Sequence, residues 1–179
     1  RNHPYYLVWL LTIALGLRRS ELDGLKWTDL DFENGLLSLC RQYQPKEGEV
    51  LKLKDYEDRV VSVPQVVIPV LKEHRLKATT EYVIELDCKQ WEGGHQAQVI
   101  RAFCREIGIR EITHHQLRNT HITLAIIDGV PVGIVKDNVG HAKLSTTDGY
   151  YASSGIQMKG QLDRLQIKVP GMQGKVSPL

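Results

Sequence analysis

The apolar residues of this chain keep helical spacing over most of its length and lose it in one block, between Leu36 and Val63. From Pro4 to Leu15, the residues Leu7, Leu10, Leu11, Ala14 and Leu15 recur at the interval of one helix face, and Gly16 supplies a stop. A second helix is predicted from about Arg19 to Leu25, with Leu22 and Leu25 on its apolar stripe. Inside the block, the short runs Leu36 to Leu39, Val50 to Leu53 and Arg59 to Val63 are separated by Gly and charged residues, which suits a small antiparallel sheet. Helix resumes near Pro69, a residue that tolerates the first turn because its missing N–H would lack a partner there anyway. Val70, Leu71 and Leu76 are expected to face inward. Further helices are predicted from about Gln96 to Ile107 with a stop at Gly108, and from Thr113, where Thr113 and Gln116 have capping-box spacing. Two more are expected from about Val132 to Val139, ending at Gly140, and from Ile156 to Leu165. This is a mainly α pattern with a small antiparallel β-sheet inserted, an α+β chain.

With 179 residues, one domain spanning 1–179 can bury its own core without staples. The longest apolar stretch, Tyr5 to Leu17, is interrupted by Thr12 and Gly16 and is too short to span a bilayer, so no membrane partner is expected. Cys40, Cys88 and Cys104 are odd in number and far apart, with no pair at metal-ligand spacing, which points to a reducing, intracellular compartment. A net charge of +2 neither requires nor excludes a polyanionic partner, because local placement of Lys and Arg sets the field. The chain opens on Arg1 rather than Met, which suggests a fragment of a longer protein. Residues 166–179 contain Pro and Gly and are expected to form a mobile or docking tail.

Several segments carry residues suited to phosphate chemistry. Arg18 stands at a helix start with Glu21 three residues on, so a carboxylate can hold the guanidinium fork in one orientation, although a plain surface ion pair has the same spacing. Lys54 and Arg59 bracket an acidic turn, Asp55 to Asp58, expected to join two strands. A lysine on such a hairpin can serve as a general acid, with Lys52 as its competitor on the same strand face. His114 and His115 fall in the first turn of the helix capped by Thr113, where free N–H groups favour an anion. His115 and Arg118 share a face, and either histidine could instead simply meet water. His141 follows Gly140, and the adjacent Tyr150 and Tyr151 lie beyond it. A phenol with an ordinary pKa of about 10 attacks only when cations stabilise its target and a base takes its proton.

Taken together, the order Arg, Lys, His-x-x-Arg, His, Tyr resembles the catalytic set of tyrosine recombinases of the phage integrase type, from Leu11 to Tyr151. Gly16-Leu17-Arg18-Arg19-Ser20-Glu21-Leu22 is similar to the first arginine box and selects Arg18. Lys54 leads into Arg59 and Val61-Ser62-Val63-Pro64, similar to the lysine hairpin. His115-Gln116-Leu117-Arg118 resembles the His-x-Leu-Arg box and selects His115. Gly140-His141 with Tyr150 nine residues later matches the family's Gly-His and nucleophile spacing. The chain differs in Asn119 after Arg118, in Val139 before Gly140, and in the second tyrosine after Tyr150.

The resemblance implies an integrase catalytic-domain fold and a DNA strand cleavage and rejoining reaction through a 3′-phosphotyrosyl intermediate on Tyr150. Arg18 and Arg118 would neutralise the non-bridging oxygens, His115 would assist deprotonation of the nucleophile, His141 would hydrogen-bond the phosphate, and Lys54 would protonate the leaving 5′-oxygen. Arg18, Lys54 and Arg118 are thereby also the expected DNA contacts. No metal and no cofactor is implied, since fixed cations do the electrostatic work. The expected partners are double-stranded DNA and other copies of the chain, as a tetramer on DNA. The expected setting is the cytoplasm, for a bacterial or phage-encoded enzyme acting on chromosomal DNA. Two other classes fit part of the pattern: a type IB topoisomerase-like strand relaxer, and a noncatalytic DNA-binding module of the same fold.

Overall fold

Helix α1 (Tyr6–Leu15) buries Leu7, Val8, Leu10, Leu11, Ala14 and Leu15, so it is apolar around most of its circumference and runs through the core instead of lying on it. Thr12, buried among them, donates its hydroxyl to the Val8 carbonyl at 2.8 Å. Gly16 ends the helix at φ +67°, its amide on the Thr12 carbonyl at 3.0 Å. The computed structural model describes residues 3–44, 49–53, 58–85 and 95–140. The predicted helix from Ile156 to Leu165 and the tail 166–179 lie outside the described residues.

After α1 the order is α2 (Arg19–Asp23), a short 3-10 turn (Trp27–Asp29), β1 (Leu30–Asp31), β2 (Leu36–Leu39), β3 (Arg41–Gln44), β4 (Glu49–Lys52), β5 (Arg59–Ser62), α3 (Ile68–Lys77), α4 (His95–Glu106), α5 (His114–Ile127) and α6 (Val132–Val139). Helix α2 stops two residues short of the predicted Leu25, yet Leu22 and Leu25 are both buried. The expected β region forms two antiparallel ladders, one three-stranded in the order β1-β2-β5 and one two-stranded, β3-β4. Leu37 faces Val61 and Leu39 faces Arg59 across β2 and β5. Because the β2–β5 pair carries the buried Leu37, Leu39 and Val61, β5 passes over the β3-β4 hairpin to reach β2. The strands flanking Lys54 are therefore partners of other strands and not of each other, which corrects the expectation of a single hairpin there. Lys54 itself lies outside the described residues.

Helix α3 buries Val70 and Leu71 as expected, whereas Leu76 is 88 % exposed. Five residues past Leu71, Leu76 is rotated well away from the buried face at about 100° per residue. Helix α4 buries Ile100 and Cys104. In α5 the Thr113 cap is realised in both directions: Gln116 N–H donates to Thr113 Oγ1 at 3.2 Å, and Thr113 N–H donates to Gln116 Oε1 at 2.8 Å. Helix α5 packs along α1, and the residues it buries are Arg118, His121 and Ala125. Two of these three are polar. Helix α6 spans the predicted range and ends at Gly140 with φ +63°.

Candidate active site

The polar face of α5 is explained by the end of α1. The last carbonyls of a helix have no intrahelical donors, and at α1 three are met from other helices. His121 Nδ1 approaches the Ile13 carbonyl at 3.0 Å, Asn138 Nδ2 donates to Leu15 O at 3.2 Å, and Arg118 Nη1 donates to Gly16 O at 2.7 Å. A carbonyl only accepts, so His121 carries its proton on Nδ1. Its Nε2 has no hydrogen-bond partner among the described residues. A side chain on Gly16 would collide with the His121 ring, which lies directly against it.

The end of α6 is held the same way, by three arginines from three elements. Arg59 Nε donates to Asn138 O at 2.8 Å, Arg118 Nη2 to Val139 O at 2.5 Å, and Arg18 Nη2 to Gly140 O. Arg118 thus joins two helix C-termini, where carbonyl dipoles favour a cation. Its guanidinium has five N–H groups, and these two bonds occupy two of them. Burial lowers the Arg118 pKa to about 10, helped by the charges of Arg18 and Arg59 and opposed by Glu21. It stays protonated at neutral pH.

Arg18 caps α2 and is anchored by Glu21. Its backbone N–H donates to Glu21 Oε2 at 2.8 Å and its Nη1 to Oε1 at 3.0 Å. This is no surface pair: Glu21 is fully buried and also accepts both Nη atoms of Arg59, at 2.9 and 3.0 Å. Burial pushes the Glu21 carboxyl up, but the hydrogen bonds and charges of Arg59 and Arg18 outweigh it and hold the pKa below its ordinary value. Arg19, the neighbour, is held by Asp23 through Nε to Oδ2 at 2.8 Å and Nη2 to Oδ1 at 2.6 Å.

Arg18, His115 and Arg118 border one cleft of about 280 Å³, together with Leu17, Arg19 and His114. Three of the six predicted catalytic residues are therefore together. Lys54, His141 and Tyr150 lie outside the described residues. His115 is exposed and Arg118 buried, so the pair presents one group at the mouth of the cleft and one at its wall. The ring nitrogens of His114 are covered and have no hydrogen-bond partner among the described residues. Burial, then the Arg19 charge, lowers its pKa to about 4, so this imidazole is neutral. The arrangement offers two oriented cations, Arg18 and Arg118, to a developing oxyanion, which is the kind of electrostatic stabilisation that catalysis at phosphorus uses.

Sequence reasoning missed the parts of Arg59, His121 and Asn138. Arg59 carried a usable signal, since it is in phase with Val61 and Val63 and therefore belongs to the inward face of β5. His121 and Asn138 carried none, because their partners are backbone atoms.

The model of the phage integrase family matches residues 2–156. Tyrosine recombinase XerA of Pyrococcus furiosus is 29 % identical over 167 residues, covering 90 % of this chain and 54 % of that protein. The XerC-like tyrosine recombinase of Caldanaerobacter subterraneus subsp. tengcongensis is 28 % identical over 179 residues, covering 84 % and 46 %. The chain spans about half the length of these relatives. Among solved structures, the Tn1549 transposon integrase in complex with transposon right end DNA superposes with a TM-score of 0.66 at 19 % identity, covering 92 % of this chain and 55 % of that one. The integrase from mycobacterium phage Brujita gives 0.66 at 16 %, covering 92 % and 53 %. At those identities the likeness is one of fold, and with the family match over most of its length the chain belongs to the phage integrase family.

Proposed function

We propose that this chain is the catalytic domain of a site-specific recombinase that breaks and rejoins double-stranded DNA through a covalent bond to Tyr150. The observation that carries the reading is the meeting of Arg18 and Arg118, a hundred residues apart in sequence, at one cleft with His115. Arg18 is held by Glu21 and the Gly140 carbonyl and Arg118 by the Gly16 and Val139 carbonyls, so neither guanidinium needs to reorganise when charge develops on a phosphate beside them. His115, exposed at the same cleft, would take a proton from the attacking phenol, a role that rests on the family resemblance. Lys54 would protonate the leaving 5′-oxygen and His141 would bond the phosphate, roles that rest on the family resemblance. The Tyr150–phosphate bond conserves the energy of the broken diester, and the free 5′-hydroxyl of a partner strand reverses the step. Assembly of four copies on two duplexes would bring that partner strand to the site.

Covalent trapping tests this. A pool of nicked suicide duplexes, randomised around the nick, is incubated with the chain, and denaturation-resistant adducts are recovered and sequenced. The expected result is a defined family of trapped duplexes, and joining of the trapped strand to a second duplex. Trapping should persist in excess EDTA with less than about a twofold loss, because the side-chain cations do the work that a metal would otherwise do. No adduct with any duplex would leave only a noncatalytic DNA-binding module. Rejoining confined to one duplex would instead indicate strand relaxation.

A further inference from the structure

Arg59 is not among the residues that border the cleft, yet all three of its guanidinium nitrogens are engaged. Its side chain is 10 % exposed. Nη1 and Nη2 take the two oxygens of Glu21 at 2.9 and 3.0 Å while Nε takes the Asn138 carbonyl at 2.8 Å. The contact is tight: a Cβ on Gly140 would fall 2.7 Å from Arg59 Nη1. Glu21 is in turn the carboxylate that orients Arg18.

We infer that Arg59 is a positioning residue of the phosphate site, fixed by the end of α6 and acting on Arg18 through Glu21; the inference rests on the strand-transfer reading above. Between two guanidiniums the buried Glu21 carboxylate is shared, and the three-residue cluster is a net cation. Without Arg59, Arg18 and Glu21 cancel. A buried carboxylate left with one partner then draws Arg18 inward, because an uncompensated buried charge is costly. Lysine in place of Arg59 keeps the charge but not the geometry: one ammonium cannot grip both carboxylate oxygens side by side and reach the Asn138 carbonyl as the planar fork does. Arg59 thus sets where the Arg18 fork points.

The test is single-turnover trapping on the duplex recovered from the randomised pool, with wild type, Arg59→Lys and Arg59→Gln, over a range of DNA concentrations. Wild type failing to trap any duplex defeats the functional reading itself, and this inference falls with it. With wild type active, the rate constant of Arg59→Lys at saturating DNA is expected to fall about 10- to 100-fold, with half-saturation within about threefold and the trapped amplitude retained. Arg59→Gln should be slower still. A merely structural role lowers the amplitude by the unfolded fraction and leaves the rate constant of the folded molecules alone. The inference is overturned if Arg59→Lys traps within about threefold of the wild-type rate constant, if the loss is confined to amplitude or to half-saturation, or if circular dichroism shows Arg59→Lys unfolded at the assay temperature, which would assign Arg59 to stability.

Discussion

His121 is fully buried against α1, and burial, together with the Arg118 charge and against the Ile13 hydrogen bond, lowers its pKa to about 4. The folded chain therefore binds this proton less readily than the unfolded chain, whose histidine titrates near 6.5. Its contribution is fully present above about pH 6.5 and is lost as pH falls toward 4, and a shift of that size is worth about 3 kcal/mol. Denaturant unfolding at pH 7.5 and 4.5 should show wild type losing more stability than His121→Gln, which has no proton to take up there. Equal losses would mean that His121 is already charged or solvated in the fold. Glu21 has the same sign, since a pKa held below its ordinary value gives stability that is present above the unfolded value and is lost as pH falls. Comparison with His121→Gln separates the two. Side chains of this kind were legible to different degrees in the sequence. Arg18 and Arg118 stood in motifs, whereas the value of His121 depends on carbonyls at the end of another helix.

At the scale of elements, the glycine stops were the most legible feature, because a helix ending in the left-handed region tells its own story in one residue. Gly16, Gly108 and Gly140 all have positive φ. Their surroundings differ, and this yields a prediction. Among the described residues, a methyl group at Gly108 meets nothing within 4 Å, while at Gly16 it meets the His121 ring and Val139. Gly108→Ala should cost about 1 kcal/mol, the backbone penalty alone. Gly16→Ala should cost about 2–4 kcal/mol, adding a core clash. Denaturation midpoints of the two variants measure the difference, and similar losses would contradict the close packing of α1 on α5. The ladders were less legible. Runs of alternating residues mark strands but not partners, and only the burial of Leu37 against Val61 decides that β5 crosses to β2. Leu76 misled for the opposite reason, being apolar but off the buried face of α3.

At the scale of the molecule, the candidate site residues come from segments that nothing local brings together, and their order along the chain was more informative than any single motif. Lys54→Ala should slow trapping roughly 10²- to 10⁴-fold if Lys54 is the general acid. A 5′-bridging sulfur should largely restore the rate, since a thiolate leaves without a proton, and rescue of Lys52→Ala instead would move the role to Lys52. The most direct measurement is peptide mapping of the trapped complex. Adjacent side chains on a helix point about 100° apart and on a strand face opposite sides, so one backbone conformation aims only one of Tyr150 and Tyr151 at the phosphate. A phosphotyrosyl nucleotide is expected on Tyr150, none with Tyr150→Phe, and trapping by Tyr151→Phe within about tenfold of wild type. A nucleotide on Tyr151, or DNA trapped by Tyr150→Phe, would contradict it.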